Sequence, residues 1–296
     1  QDTQYRYWES LTKSRYRRLY MGTRWEGHGT PGGAYNETVN LWMARWLKGE
    51  RNGIERTLAP VVSQTSDSTK ALGEIRGGIP HTTDVALYAQ SGTVNGGYDG
   101  VLRPTRPGQR SDGVRFTMTG VGTESGALAR ARRNDDHAWF ESPPLTRDVR
   151  LFGRPRITVW SEVDRSWVTY AVSVVDIDPA NYTDAGGERL PAATNGLIGV
   201  TRGWLDTRYR NTLTRREPWV PGVHGVTIPA KPQDYIFRRG HAIGLLVMNE
   251  QLEWVVTKPY DDPLAGQGVA MTVDNSGKTV LHLPLVGTLN PRSLFS

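Results

Sequence analysis

The chain is predicted to hold two architectures in series, the closing segment of an α/β layer and then an all-β sandwich of jelly-roll type. Three observations predict this. The stretch Tyr20-Met21-Gly22-Thr23-Arg24-Trp25-Glu26-Gly27-His28-Gly29-Thr30-Pro31-Gly32-Gly33 sets one histidine in a glycine-rich loop between a short apolar strand and an amphipathic segment. That segment has its apolar residues at helical spacing. From about residue 80 the helical period disappears, and short runs rich in Val, Thr, Tyr, Trp and Leu alternate with Gly, Pro, Asn and Asp turns.

Taken in order, Tyr5, Trp8, Leu11 and Arg15 fall at helical intervals over residues 4–17, and Arg18 to Gly22 reads as a short buried strand. A helix feeding a strand is the α/β repeat. After the His28 loop, Asn36 is positioned to cap a helix whose inward face would be Val39, Trp42, Met43, Trp46 and Leu47, closed by Lys48-Gly49. The boundary is expected around Gly77-Gly78-Ile79-Pro80, with residues 1–78 in the α/β part and 79–296 in the sandwich. Strands are predicted at 84–88, 114–118, 156–160, 167–175, 225–228, 242–247, 269–273 and 279–285. Eight strands without an intervening helix indicate a sandwich.

Composition excludes several classes. With 296 residues and 37% hydrophobic content the chain can bury a sizeable core. Its longest apolar run, 242–248, is far too short to span a bilayer, so no membrane partner is expected. Net charge is +6, and of the 36 basic residues only six are lysine; the arginines are scattered in small clusters. A nucleic-acid reader concentrates its charge on one face or tract, so no nucleic-acid partner is expected. Cysteine is absent, which removes disulfides and thiolate metal sites from consideration.

His28 has the setting of a general base, yet no Gly-x-Ser-x-Gly occurs anywhere in the chain. The nucleophile such a base would serve is therefore expected upstream of Gln1, an expectation to which the non-Met first residue adds.

Further segments carry a resemblance: Gly27-His28-Gly29 leading to Trp46-Leu47-Lys48-Gly49 and Asn52-Gly53-Ile54; Ser142-Pro143-Pro144-Leu145 followed by Gly153-Arg154-Pro155; Val174-Val175-Asp176-Ile177-Asp178-Pro179; Thr201-Arg202-Gly203-Trp204; and Arg239-Gly240-His241-Ala242-Ile243. In this order they resemble the C-terminal portion of the X-Pro dipeptidyl-peptidase and cocaine-esterase family of α/β-hydrolase serine hydrolases. The resemblance implies an α/β-hydrolase C-terminal segment followed by a jelly-roll, galactose-binding-like sandwich. It makes His28 the triad base and places the serine and the orienting Asp in a catalytic portion preceding this chain, which becomes the implied partner. The substrate that the resemblance implies is a peptide or an ester, and the mechanism it implies needs no metal and no organic cofactor.

The other candidates have structural readings. His241 is expected to open a sandwich strand, and Asp176 and Asp178 to satisfy backbone donors in a turn, with metal binding the rival for the two carboxylates. His81, His137, His224 and His282 are too irregularly spaced for a metal site. Trp139, Trp160, Trp167, Trp204, Trp219 and Trp254 fall in the sandwich, where they serve packing or, as the rival from another class, a carbohydrate-binding module.

Overall fold

The computed structural model describes residues 2–21, 33–64, 72–92, 100–108, 113–118, 122–133, 136–179, 196–217, 220, 222–249 and 269–296. The chain opens with α1 (Asp2–Ser10) and β1 (Leu19–Met21), then α2 (Gly33–Leu47), α3 (Ile54–Thr57), β2 (Val61–Gln64) and β3 (Leu72–Ile75). The three strands form a small sheet in the order β1-β2-β3. β1 and β2 run parallel, Leu19 opposite Val61 and Met21 opposite Ser63, so the helices between them form a crossover. β3 returns antiparallel to β2.

Two boundaries differ from expectation. α1 stops at Ser10 rather than continuing to residue 17, because the Ser10 hydroxyl donates to the Tyr7 carbonyl at 2.6 Å and the Arg17 guanidinium reaches back to the Trp8 carbonyl at 3.1 Å. Those bonds satisfy end carbonyls that a longer helix would satisfy internally. α2 begins at Gly33, so Asn36 sits inside the first turn and not at the cap. Contacts to β1 hold that turn: the Tyr20 hydroxyl bonds Thr38 Oγ1 at 3.1 Å, and Tyr35 stands edge-on to Tyr20.

The remaining strands are β4 (Thr82–Gln90), β5 (Val101–Arg103), β6 (Val114–Met118), β7 (Ala138–Glu141), β8 (Val149–Gly153), β9 (Arg156–Val163), β10 (Thr169–Ile177), β11 (Leu197–Asp206), β12 (Gly222–Pro229), β13 (Gln233–Phe237), β14 (Ala242–Met248), β15 (Val269–Val273) and β16 (Ser276–Val286). They join in one hydrogen-bonded network of thirteen strands with the central path β11-β10-β14-β7-β5-β4-β16-β9-β15-β6. Pairing is antiparallel apart from the single parallel match of Val101 in β5 with Glu141 in β7. The assembly is mostly β, as expected, with more strands than sequence periodicity revealed.

The expectation of no helix within the β region is corrected. α4 (Glu124–Ala129) precedes β7, capped by the Thr123 hydroxyl, which accepts from the Gly126 N–H. Its place follows from burial. β4 and β9 alternate buried and half-buried residues, but every residue of β10 and β14 is buried. One face of that pair meets the main core around Phe140, Tyr170, Val172 and Leu245. The other meets Leu128, Trp139, Val175 and Leu246 beside α4. A strand pair covered on both sides loses its two-residue alternation.

Candidate active-site segment

His28 lies outside the described residues; the structure describes its frame. The segment 22–32 leaves the carboxyl end of β1 and enters α2. Arg18, just before β1, donates to the Leu58 carbonyl at 3.1 Å and the Glu55 carbonyl at 2.6 Å, tying the strand to the end of α3. Its guanidinium also lies 5.6 Å from the Trp42 ring centre, and burial lowers its pKa from the usual arginine value. Arg45 of α2 pairs with Glu55 at 3.0 Å, and the Glu55 carboxyl is held below the ordinary glutamate range by its backbone hydrogen bond and by Arg45. Gly53 supplies the left-handed turn (φ 73°) between α2 and α3.

The unit is anchored from below. Tyr5, Leu19, Met21 and Val61 pack on Phe152 of β8. From above it is open. The face expected to be buried is exposed: Met43 keeps 50% of its surface accessible, Trp46 43% and Leu47 75%. A groove of about 430 Å³ runs between α2 and the approach to β1, lined by Tyr16, Tyr20, Tyr35, Thr38, Val39 and Trp42. The amphipathic pattern was legible, but among the described residues nothing covers Met43, Trp46 and Leu47 fully.

The other candidates are placed as follows. Asp176 is an interior residue of β10, not a turn residue, and its buried carboxylate accepts from the Tyr235 hydroxyl at 2.7 Å and meets His241 Nδ1 at 3.0 Å. His241 directly precedes β14, in keeping with its structural reading. His137 is buried against Asp136 and the Ala131 carbonyl, and His282 meets Asp84 at 3.2 Å. Among the described residues no group of three or more His, Cys, Asp or Glu could hold a metal. No described helix is long and apolar enough to cross a membrane.

Of the tryptophans, Trp139 is buried with its indole N–H on Glu141, Trp160 lies across Gly225, Arg208 stacks 3.8 Å from the Trp167 ring centre, and Trp204 is 37% exposed beside Lys231. Trp219 and Trp254 fall outside the described residues. Sequence reasoning missed the buried ion pairs Arg132–Glu141 and Arg202–Glu124, each at 2.8 Å. Their partners lie on different elements, and no local pattern links them.

Residues 52–282 match the family model described as the X-Pro dipeptidyl-peptidase C-terminal non-catalytic domain. The chain belongs to this family. A protein of Rhodopirellula baltica that carries the provisional name Xaa-Pro dipeptidyl-peptidase is 27% identical over 267 residues, 90% of this chain and 39% of the relative. A similarly named protein of Bacillus cereus is 23% identical, over 84% of this chain and 40% of its own length. The chain thus spans about two-fifths of the length of these curated relatives. Among solved structures, an aminopeptidase from a marine sediment Thaumarchaeota archaeon superposes with TM-score 0.66 at 17% identity, over 90% of this chain and 46% of that one. An α-amino acid ester hydrolase superposes with TM-score 0.61 at 14% identity, over 84% and 44%. At these identities the likeness establishes the fold. The family's matched region begins after His28, so the histidine segment precedes the part described as non-catalytic.

Proposed function

We propose that this chain is the C-terminal portion of a serine hydrolase of the X-Pro dipeptidyl-peptidase type, with His28 as its triad base. Residues 1–78 would be the last strand, loop and helices of the catalytic α/β layer, and residues 79–296 a jelly-roll sandwich packed beside the active site. The observation that carries this reading is the parallel β1–β2 crossover, which sends the His28 segment off the carboxyl end of β1. In open α/β sheets that end is where ligands bind. The exposed face of α2 and the groove beside it would meet the catalytic portion that supplies the serine and the Asp.

In the assembled enzyme His28 takes the proton of the serine hydroxyl during attack on the substrate carbonyl and returns it to the leaving group. Peptide cleavage after an N-terminal X-Pro pair is the preferred substrate reading, in line with the names of the relatives. The esterase branch of the family is the alternative. An Ala-Pro chromogenic amide and a matched acyl ester, assayed on the longer protein, separate the two. Dipeptide release abolished by His28→Ala supports the reading. Unchanged turnover in that variant overturns it.

A further inference from the structure

Three charges stand uncommitted on the outer face of the sheet that contains β6, β15 and β9. The registers of these neighbouring strands set Arg115 opposite Thr272 and Thr272 opposite Glu162. The flanking residues Val114, Phe116, Met271, Val273, Ser161 and Val163 are all buried, so strand alternation turns Arg115, Thr272 and Glu162 together onto the outer face. With Asp164, just past the end of β9, they line a groove of about 480 Å³. Small residues, Ala270 and Gly222, complete its wall. Gly222 has a φ of 135°, a conformation that side chains disfavour, and so keeps that part of the wall bare.

Charge is polarised across the groove. The cation stands on β6, and the two carboxylates stand on the far side of β15, on β9 and its end. Among the described residues none of the three makes a side-chain hydrogen bond or an ion pair. Separation by one strand does not by itself keep such charges apart. On the same outer face Arg156 of β9 reaches Asp84 of β4 across β16, at 2.7 Å. Arg115 and Glu162 have the same spacing across β15 and stay open, with the groove between them.

A cation and two anions held on opposite walls suit a ligand of the reverse polarity. A guanidinium takes a carboxylate by two parallel hydrogen bonds, and paired carboxylates take an ammonium. We propose that this groove binds a short peptide with free ends, its carboxylate on Arg115 and its ammonium between Glu162 and Asp164. Two inter-strand spacings separate β6 from β9 by about 9.5 Å. An extended dipeptide reaches up to about 7 Å and covers most of that span, whereas a single amino acid carries both charges on one carbon. Thr272, midway in the row, supplies a hydroxyl for the peptide bond. The site stands on sandwich residues alone and does not depend on the role given to His28.

The test is calorimetric titration of diglycine into the 296-residue chain at neutral pH and low ionic strength, with glycine, N-acetyl-diglycine and diglycine amide for comparison. Saturable binding of diglycine is expected, and glycine should bind more weakly. Blocking either end should weaken binding about tenfold or more, the effect of losing a hydrogen bond between charged groups. Arg115→Gln should weaken diglycine to the same extent and should bind the free and amidated forms alike. Glu162→Gln combined with Asp164→Asn should likewise cancel the effect of the acetyl block. The substituted residues are exposed, so the variants should melt with the wild type. If one fails to fold, the blocked ligands on wild type still decide. Absence of saturable diglycine binding overturns the proposal, as does binding that neither the blocked ends nor the substitutions weaken, or glycine binding as tightly as diglycine.

Discussion

Single side chains decide stability here chiefly where charge is buried. Glu141, 3% exposed, takes both guanidinium contacts of Arg132 at 2.8 Å and the Trp139 indole N–H at 2.9 Å. Glu141→Ala strands a largely buried guanidinium and an indole donor, so a loss of about 3–5 kcal/mol is expected in urea denaturation. Gly225 acts through shape: a methyl group there would overlap the Trp160 ring lying across it. Gly225→Ala should cost about 1–3 kcal/mol by overpacking. Tyr170 reports on acid–base state. Burial pushes its hydroxyl up to about 12, with Ser161 as its hydrogen-bond partner. Because the folded value exceeds the unfolded one, the contribution is complete below about pH 10 and lost as pH climbs toward about 12. Phenolate absorbance should show one tyrosine titrating only with alkaline unfolding, and Tyr170→Phe should remove that component.

At the level of elements, α2 and the β10–β14 pair make opposite demands. The helix has an apolar stripe of which Met43, Trp46 and Leu47 stay exposed, whereas the strand pair is buried on both faces. Leu47→Ser and Met43→Ser should therefore change the stability of this chain by no more than about 0.5 kcal/mol, as for exposed sites generally. In the longer protein, where the proposed catalytic portion covers α2, the same pair of changes should cost more. Denaturation curves of both forms check this, and equal effects would remove α2 from the interface. β11 shows why close approach is built with glycine: a methyl at Gly203 would stand 2.6 Å from the Pro229 carbonyl oxygen. That glycine, with Arg202 beside it, also broke the strand signal in the sequence.

For the whole molecule, the family match and the missing nucleophile motif lead to one expectation. On the proposed function, this chain alone should not turn over an Ala-Pro amide or an acyl ester, since the proposed base His28 without a serine nucleophile forms no acyl-enzyme. Turnover by the purified chain that is lost on treatment with a serine-directed phosphonate would overturn that. The rival carbohydrate-binding function is checked by intrinsic fluorescence of the longer protein with mono- and oligosaccharides at roughly millimolar concentration. No saturable quenching is expected, because Trp139 is buried, Trp160 covers a glycine, and Trp167 and Trp204 already carry Arg208 and Lys231 on or beside their rings.

What the sequence by itself determined is the family, the mostly-β character of the chain, and those elements whose side chains repeat with a strong local period. β4, β6, β9, β14, β15 and β16 were all legible from alternation or from short apolar runs between turns. β7, β8 and β13 were hidden because they are short and their burial depends on distant partners, Phe237 of β13 pairing with Val149 of β8. α4 was hidden because six residues give less than two helical turns of pattern. Only the tertiary structure decided that the stripe on α2 is exposed in this chain, and that Asp176 meets a histidine 65 residues further on rather than a turn backbone. Local period reports which side of an element is apolar, while the identity of what lies against it is set by contacts far apart in the chain.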